Sequence, residues 1–476
     1  MKNKYQNPLS VRYSSDKMQY IFSPQKKFST WRKIWVALAE AQKDLGLNIS
    51  KEQIIALKEK TDDIDFDLAK KYEKKLRHDV MAHIHTYGDQ VPKAKGIIHL
   101  GATSAFVGGN TDIIKMKEAL ILIKEKIVNV LNNLSEFAKK YDDLPTLGYT
   151  HFQPAQTTTV GKRATLWMYD LLIDYNEINE LIKKLKLRGV KGTTGTQASF
   201  LELFEGNHKK VKELDKKVCK KLGFKSSIPV SGQTYTRKID SLVLNTLSGV
   251  AQSLHKMTND LRLLQNLKEI EEPFAKNQIG SSAMAYKRNP MRSERIASLS
   301  KYLMSISLNP QMVHSTQWFE RTLDDSANRR LSIAESFLTA DAILDVANNV
   351  TSDLVVYDKV IYNNLMKELP FMATENILMK AVNKGGDRQK LHEKIRKHSM
   401  EAGREVKEKG KANDLLERIA KDESFNLNKK EIKNLLDPKL YIGRSKQQVK
   451  EFLTEKINPI LKDNEEVLGK KVKLDV

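Results

Sequence analysis

The segment from Gly280 to Met291 holds the residue types that acid–base chemistry and anion binding require. Its sequence is Gly-Ser-Ser-Ala-Met-Ala-Tyr-Lys-Arg-Asn-Pro-Met, and residues 292–306 follow without a helix breaker and with apolar residues three or four positions apart. The pattern predicts a loop that leads into a helix, with Asn289 as the N-cap and Pro290 at the first helical position. Two serines, a lysine and free backbone N–H groups would lie near the positive end of the helix dipole, which suits an anion. Composition alone favours a simpler interpretation, a Gly/Ser loop beside a solvated Lys-Arg pair.

Three histidines occur between Arg77 and His85, in the sequence Arg-His-Asp-Val-Met-Ala-His-Ile-His. A metal site is the most specific hypothesis for such a cluster. However, His78 and His83 are five residues apart and do not share a helical face, whereas helical metal ligands are usually four apart. Histidines near the negative end of a helix are the simpler interpretation, and we predict no metal site.

Other loops carry polar residues that could either bind a ligand or serve the fold. Thr103 and Ser104 follow a glycine turn and could simply cap a helix. His151 precedes a proline by three positions, and a lone histidine there is usually structural. Ser326 could cap the next helix, but several arginines between residues 321 and 330 would repel one another at a helix start unless an anion lay between them.

Size and composition indicate a soluble globular protein. The chain has 476 residues, 40% hydrophobic and 29% charged, and is long enough for two to four domains. Its single cysteine, Cys219, excludes an internal disulfide and fits a reducing compartment. Residues 1–10 are polar, and no apolar run approaches the roughly 18 residues of a membrane span. We therefore expect a cytoplasmic protein with no membrane partner.

The formal net charge of +22 has two interpretations. Clustered lysines and arginines could bind nucleic acid through its phosphates. Alternatively, a lysine-rich surface could surround a site for a small polyanion and steer it inward. The lysines are spread over many helix faces, without zinc-ligand spacing or interleaved aromatic residues. We therefore expect a small-molecule ligand and no nucleic acid.

Long helices with apolar seams dominate the predicted secondary structure. One seam covers residues 113–137 and another covers residues 243–264, each with apolar residues alternately three and four positions apart. Further long helices are predicted for residues 157–187 and 328–349. Helices of about 30 residues span about 45 Å. We therefore expect an all-α fold with a central long-helix bundle whose faces extend into other subunits.

Three domains are predicted along the chain. Residues 1–110 form an N-terminal helical domain, residues 111–357 form the central bundle with the Gly280–Met291 loop, and residues 358–476 form a C-terminal helical domain. Glycines at Gly385 and Gly410 predict breaks in the last domain. Three helices are predicted in the first domain, at residues 31–45, 51–60 and 67–87.

Several of these segments together resemble one enzyme family. Gly-Ser-Ser-x-Met-x-x-Lys-x-Asn-Pro is similar to the mobile catalytic loop of the aspartase/fumarase superfamily, whose members release fumarate by β-elimination. The form Tyr-Lys-Arg-Asn-Pro-Met, together with Arg-His-Asp at 77–79 and Thr-His-x-Gln-Pro-Ala-Gln at 150–156, most resembles the adenylosuccinate lyase family. The resemblance extends to about residue 400. Ala285 stands where the family loop usually has proline, which removes a fixed φ from the open loop.

The resemblance implies a role for each matching residue. Ser281 is implied as the general base and His151 as the general acid, with Lys287 and His78 as further catalytic residues. Thr103 and Ser104 are implied to hold a carboxylate. The substrate-binding residues that the resemblance implies are Arg12, Tyr13, Arg77, Asp79, Thr103, Ser104, Thr150, Gln233, Asn289, Arg295, Arg321, Ser326 and Arg330.

The resemblance also implies the fold, the assembly and the reaction. The expected fold is the three-domain fumarase/aspartase-like fold in a homotetramer, with active sites shared between subunits. The expected reaction releases fumarate from adenylosuccinate, and from the matching succinyl-carboxamide ribotide, without a cofactor or a metal. Argininosuccinate lyase is a related alternative, but the arginines at 321–330 favour a phosphorylated substrate.

Overall fold

The computed structural model describes residues 3–470, 472 and 474, and most of them are helical. Five α-helices lie between residues 16 and 90. A π-helical turn, Leu9–Tyr13, precedes them, and a 3-10 turn, Pro92–Ile97, follows. Trp31, Trp35 and Tyr87 lie in the core that the second, third and fifth of these helices share. The five helices are α1 (Asp16–Phe22), α2 (Pro24–Asp44), α3 (Lys51–Glu59), α4 (Phe66–Leu76) and α5 (Asp79–Gln90).

The prediction of one helix over residues 67–87 is wrong, because the chain turns sharply between α4 and α5. Arg77 adopts a left-handed backbone with φ 55° and ends α4. His78 is the N-cap of α5, and its Nδ1 accepts a hydrogen bond from the Met81 N–H at 3.3 Å. Neither residue is a typical helix breaker, so no glycine or proline marks the turn in the sequence. The turn brings Arg77 and His78 out of the helical ladder.

The long helices form where the apolar seams predict them. The seam residues Ile113, Met116, Leu120 and Ile123 are fully buried, and each such side chain contributes roughly 1.5–3 kcal/mol on burial. The helices and strands of the middle of the chain are α6 (Ser104–Lys140), β1 (Pro145–Thr150), β2 (Gln153–Thr159), α7 (Val160–Lys184), α8 (Ala198–Leu203), α9 (His208–Lys221), α10 (Lys238–Asn266), β3 (Ile270–Glu271), α11 (Met291–Ile306), α12 (Asn309–Ser315), α13 (Asp324–Ser352) and β4 (Val355–Val356).

Helix α13 lies in the middle of this bundle and packs against α6, α10 and α11. Phe337, Ala340, Ile343, Leu344 and Val350 are fully buried on several of its sides. A helix that is enclosed in this way has no polar outer face, which explains its weak sequence periodicity. The first turns of α13 lie beside the starts of α5 and α6.

A β-hairpin precedes α7. Strands β1 and β2 pair antiparallel, and the turn consists of His151 and Phe152. The sequence predicted a loop up to residue 156 and a helix from residue 157, so both the hairpin and the later helix start correct that prediction. Thr159 caps α7 by accepting a hydrogen bond from the Lys162 N–H at 3.1 Å.

The C-terminal part contains shorter helices, and the predicted breaks at Gly385 and Gly410 are confirmed. Residues 373–432 share a separate apolar core, whereas Val449 and Ile457 pack on the core of the long bundle. No helix formed by the described residues is long and apolar enough to cross a membrane. The helices here are α14 (Asp358–Met372), α15 (Thr374–Asn383), α16 (Arg388–Lys409), α17 (Leu415–Lys421), α18 (Lys429–Asn434), α19 (Ser445–Phe452) and α20 (Asn458–Lys462).

Candidate active site

A cavity of about 570 Å³ lies where α2, α5 and α6 meet the start of α13. We call it the cationic cavity, because seven lysine and arginine side chains but only three carboxylates line it among the described residues. Such an excess of positive charge favours a polyanionic ligand. Seven of the residues implied by the resemblance line it, namely Arg77, His78, Asp79, Ser104, Arg321, Ser326 and Arg330.

The turn between α4 and α5 supplies one wall of this cavity. Asp79 Oδ2 lies 3.7 Å from Arg330 Nη2 and 4.0 Å from Lys27 Nζ, so one carboxylate faces two cations. Because His78 Nδ1 accepts a backbone hydrogen bond, a neutral His78 carries its proton on Nε2. The side chain of His78 is 47% exposed, so this proton can reach a ligand in the cavity.

A buried ion-pair layer fixes the start of α13 next to the cavity. Arg329 Nε donates to Asp240 at 2.6 Å, and Arg329 Nη2 lies 3.0 Å from Asp112. Arg237 Nε donates to Asp325 at 2.6 Å. Although burial opposes its charge, the carboxylate of Asp240 holds the pKa of Arg329 above its usual value. Arg329 therefore stays charged, and its ion pairs hold the start of α13 in place.

The neighbouring arginines Arg321 and Arg330 keep more of their charge available to the cavity. Arg321 Nη2 is 4.0 Å from Asp325, a carboxylate that Arg237 already holds. The side chain of Arg330 is 68% exposed. Helix α13 begins at Asp324, so Ser326 lies in the first turn and is not its cap. The simpler interpretation of Ser326 as a cap is therefore wrong.

Thr103 and Ser104 lie at the start of α6. Thr103 is the N-cap of this helix, yet within the described part of the chain its hydroxyl makes no capping hydrogen bond. The simpler interpretation, in which the hydroxyl of Thr103 caps the helix, is therefore wrong. Gln233 lies four residues before Arg237, which belongs to the buried layer. The N–H of Gln233 donates to the Glu320 carbonyl at 3.0 Å. That bond ties Gln233 to the segment that leads into Arg321.

Arg12, Tyr13 and Arg295 line a second cavity, of about 660 Å³, beside α6 and α13. The guanidinium carbons of Arg12 and Arg295 lie 6.0 Å and 5.7 Å from the centre of the Tyr13 ring. Both distances are within the range of cation–π contacts. The structure therefore brings these three predicted residues together, in a cavity separate from the first.

Thr150 and His151 lie at the exposed end of the hairpin. The two turn residues, His151 and Phe152, have φ values of 51° and 56°. A positive φ at non-glycine residues costs about 1–3 kcal/mol each, so this turn is strained in a place that carries a candidate catalytic residue. Neither Thr150 nor His151 is among the described residues that line the two cavities.

The loop before α11 holds Ser281 in a defined local geometry. The Ser281 Oγ accepts hydrogen bonds from the N–H groups of Met284 at 3.1 Å and Ala283 at 3.4 Å. Asn289 Nδ2 donates to the Gly280 carbonyl at 2.6 Å and closes the base of the loop. Only glycine fits at position 280, because a Cβ would lie 2.0 Å from the Lys287 carbonyl oxygen. The side chain of Lys287 is exposed.

The predicted N-cap of α11 is wrong. The carboxylate of Glu272 accepts hydrogen bonds from the Arg292 N–H at 3.0 Å and the Ser293 N–H at 2.9 Å. Asn289 closes the loop instead, and Pro290 is the N-cap residue without a side-chain bond. Glu272 therefore already occupies the positive end of this helix, where the sequence suggested an external anion. No local spacing reveals it, because Glu272 lies about twenty residues upstream.

Several residues near the site were missed by the sequence reasoning. Lys27, Lys115 and Arg237 line the cationic cavity, but nothing in the sequence separates them from the many other basic residues. The resemblance implies a role for Arg330 but none for its neighbour Arg329. In the structure, the side chain of Arg329 is buried and that of Arg330 is exposed. The weak periodicity of α13 gives no signal in the sequence that distinguishes the two.

The chain matches the models of two known protein families. The model of the family described as Lyase matches residues 15–304, and that described as Adenylosuccinate lyase C-terminus matches residues 370–452. The chain is 53% identical to adenylosuccinate lyase of Saccharomyces cerevisiae, covering 100% of this chain and 99% of the relative. It is 52% identical to adenylosuccinate lyase of Schizosaccharomyces pombe, covering 96% and 95% of the two chains.

Solved structures share the fold at low sequence identity. A fumarate lyase from Mesorhizobium sp. BNC1 is 20% identical, with a TM-score of 0.79 and coverage of 95% and 100% of the two chains. The 3-carboxy-cis,cis-muconate lactonizing enzyme from Pseudomonas putida is 21% identical, with a TM-score of 0.82 and coverage of 94% and 99%. The predicted all-α, fumarase/aspartase-like architecture is therefore confirmed.

Proposed function

The chain belongs to the adenylosuccinate lyase family, and we propose that Ser281 and His151 are the base and the acid with which it releases fumarate. The reaction is the β-elimination of fumarate from adenylosuccinate, which gives AMP. The same chemistry applies to the succinyl-carboxamide ribotide of purine synthesis. The observation that carries the proposal is the convergence of Arg77, His78, Asp79 and the arginines 321 and 330 on one cationic cavity.

The charge of the cavity fits the substrate. Adenylosuccinate carries a phosphate and two succinyl carboxylates. Arginine forks bind phosphate through paired hydrogen bonds, and the half-buried Arg321 and the exposed Arg330 supply them beside the Ser326 hydroxyl. The unused hydroxyl of Thr103, with that of Ser104, suits a carboxylate. Argininosuccinate lacks the phosphate and would leave these arginines unpaired.

The backbone around Ser281 supports its role as the base. A serine hydroxyl is a weak base, and its alkoxide requires stabilisation. Two N–H groups already point at the Ser281 oxygen, from Met284 and Ala283, and such donors stabilise a developing negative charge. The exposed Lys287 side chain adds a positive charge to the same loop. The proton then leaves the succinyl carbon, and an enolate-like dianion forms.

The acid must protonate the departing nitrogen. His151 lies at the strained end of the hairpin with its ring exposed, so it can reach a substrate that is held by other elements. General acid–base catalysis supplies roughly 10² to 10⁴-fold, on the order of 3–5 kcal/mol. Enzymes lower barriers by about 8–23 kcal/mol. Most of the effect must therefore come from charge stabilisation and orientation in the cationic cavity.

A homotetramer with shared active sites would bring these elements together. Leu166, Tyr169 and Ile173 lie three and four residues apart on α7, and each is about half exposed. Such an apolar stripe on a long helix is typical of a subunit interface. Because His151 and Ser281 lie outside the cationic cavity of their own chain, we propose that neighbouring subunits supply them. The buried free thiol of Cys219 fits a cytoplasmic location.

The direct test is an assay of the purified chain with adenylosuccinate. We expect AMP and fumarate in equal amounts. The reaction is monitored by the loss of the substrate absorbance. Argininosuccinate serves as the matched control and should not turn over. Cleavage of argininosuccinate without cleavage of adenylosuccinate would contradict the proposed substrate. Analytical ultracentrifugation should give four times the 54.4 kDa mass of one chain.

A further inference from the structure

Two lysines that no other role accounts for enter the cationic cavity. Lys27 comes from α2 and Lys115 comes from α6, whereas Arg321 and Arg330 come from the start of α13. The two lysines therefore extend the positive charge of the cavity onto two further elements. A tetrahedral phosphate has three terminal oxygens and is best held by donors from several directions.

Lys27 is half-buried and seated on aromatic rings. Its Nζ lies 4.9 Å from the ring centres of both Phe28 and Trp31. Its nearest carboxylate is Asp79, at 4.0 Å, which also faces Arg330 at 3.7 Å. Asp79 is shared by the two cations, Arg330 adds a like charge beside Lys27, and the carboxylates of Asp112 and Glu73 act only from farther away, so the positive charge there is only partly compensated.

The positive charge of Lys115 is compensated even less than that of Lys27. Its Nζ lies 4.9 Å from the centre of the Phe22 ring. Within the described chain, Lys115 makes no ion pair or hydrogen bond of its own; its acidic neighbours Asp112 and Glu118 act only from a distance. Burial and the nearby charge of Lys27 lower the pKa of Lys115. An unpaired ammonium held in a cavity in this way is stabilised by a bound anion.

Two other lysines on α2 and α6 have their own partners outside the cationic cavity. Lys26 forms an ion pair with Glu118 at 2.7 Å. Lys117 lies 4.2 Å from the Phe224 ring centre, and its Nζ donates to the Gly223 carbonyl at 3.3 Å. Neither Lys26 nor Lys117 is among the described residues that line the cationic cavity. They are matched controls for Lys27 and Lys115.

We propose that Lys27 and Lys115 form an additional phosphate-binding pair that holds the nucleotide phosphate together with Arg330. The inference rests on the proposed function and adds ligands from α2 and α6 to it. Phosphate is favoured over a succinyl carboxylate because Lys27 and Arg330 share Asp79, and Arg330 belongs to the arginine group that suits a phosphate. The lysines are binding residues and take no proton in the reaction.

The experiment measures binding to the full-length chain by titration calorimetry. The probes are AMP, adenosine and fumarate, and the variants are Lys27→Met and Lys115→Met, with Lys26→Met and Lys117→Met as controls. Each cavity variant should weaken AMP binding about tenfold, as expected for one lost charge-assisted contact. Adenosine and fumarate binding should change less than about twofold. Lys27→Arg should retain most of the AMP affinity, because the charge is kept.

The outcomes separate this pair from the proposed function. If AMP affinity is unchanged in both cavity variants, or the chain does not bind AMP, the pair is overturned. Weaker fumarate binding with unchanged AMP binding would assign the lysines to a carboxylate and also overturn it. AMP binding that falls only in the cavity variants supports the pair, even if the wild-type chain fails to cleave adenylosuccinate. Thermal unfolding of each variant verifies that a loss of affinity reflects binding.

Discussion

The cationic cavity and the loop that carries Ser281 hold their functional side chains in different ways. In the cavity, Arg329 and Arg237 are buried and each is fixed by a carboxylate at 2.6 Å. In the loop, Ser281 and Lys287 are held mainly by backbone contacts within the loop, and most of its side chains are exposed. The cavity wall is thus preorganised by buried charge pairs, whereas the proposed base lies on an exposed segment that makes few contacts with the core.

The difference also explains why each region tolerates different changes. A buried ion pair that loses one partner leaves an uncompensated charge, which is strongly destabilising. An exposed loop residue can be lost with little effect on folding, since few contacts depend on it. Substitutions in the buried charge pairs of the cavity wall should therefore change stability, and substitutions in the loop should change the reaction rate.

The largest effect is expected at the loop. Ser281→Ala removes the proposed base and should lower kcat about 10²- to 10⁴-fold, with thermal unfolding unchanged. Ser282→Ala is the matched control, because it removes the neighbouring exposed hydroxyl and should keep near-normal rates. The measurement is fumarate release from adenylosuccinate. Comparable losses in both variants, or a near-normal rate in Ser281→Ala, would remove the base from residue 281.

The second prediction contrasts two adjacent arginines. Arg329→Met breaks the buried pair with Asp240 and should lower the free energy of unfolding by about 3–5 kcal/mol. Arg330→Met should leave the free energy of unfolding within about 0.5 kcal/mol while raising KM about tenfold. Chemical denaturation and steady-state kinetics measure the two effects. Equal destabilisation by both variants would show that the layer and the cavity wall are not distinct.

The third prediction concerns Asp174, a buried carboxylic acid to which the described residues offer no ion pair. Burial raises the pKa of Asp174 to about 6, although Ser253 donates a hydrogen bond that opposes the shift. The folded state therefore binds this proton more tightly than the unfolded state, and stability is lost as pH rises from about 4 to about 6. Asp174→Asn should remove this loss and stabilise the chain at pH 7 by up to about 3 kcal/mol. Glu180→Gln, at an exposed ion-paired acid on the same helix, should show no such gain in pH-dependent denaturation.

The smallest effect is expected at the base of the loop. Glu272 accepts two backbone N–H bonds at the start of α11, so Glu272→Gln should cost about 1–2 kcal/mol of unfolding free energy. Glu271→Gln is the control, because Glu271 bonds only to side chains there and should cost less. Denaturation curves compare the two variants. A larger cost at Glu271 would mean that Glu272 does not cap the helix.

Much of the fold could be predicted from the sequence, because its signals are local. The seams in α6 and α10 recur every three or four residues, and such periodicity follows directly from helix geometry. The break at Arg77 could not be predicted, since a histidine cap and a left-handed arginine leave no glycine or proline as a marker. The hairpin was missed for the same reason, because its turn residues, His151 and Phe152, are not usual turn formers.

The candidate site was predicted through motifs, while the residues that support it were not. Motif letters identify Ser281 and Arg330, but they carry no information about long-range partners. Glu272 caps a helix about twenty residues further on, and Asp240 pairs with an arginine 89 residues away. Lys27 looks like any surface lysine until the fold places it in a cavity. These contacts depend on tertiary packing, which periodicity does not report.

We propose that one subunit binds the substrate in its cationic cavity while other subunits supply Ser281 and His151. The decisive experiment mixes the two inactive variants, Ser281→Ala and His151→Ala, under conditions that allow subunits to exchange. If the two residues act from different subunits, random exchange leaves about a quarter of the sites with both native side chains. We expect adenylosuccinate cleavage to recover towards that fraction of the wild-type rate. A mixture that exchanges subunits, as native mass spectrometry would verify, but stays as inactive as each variant alone would contradict the account.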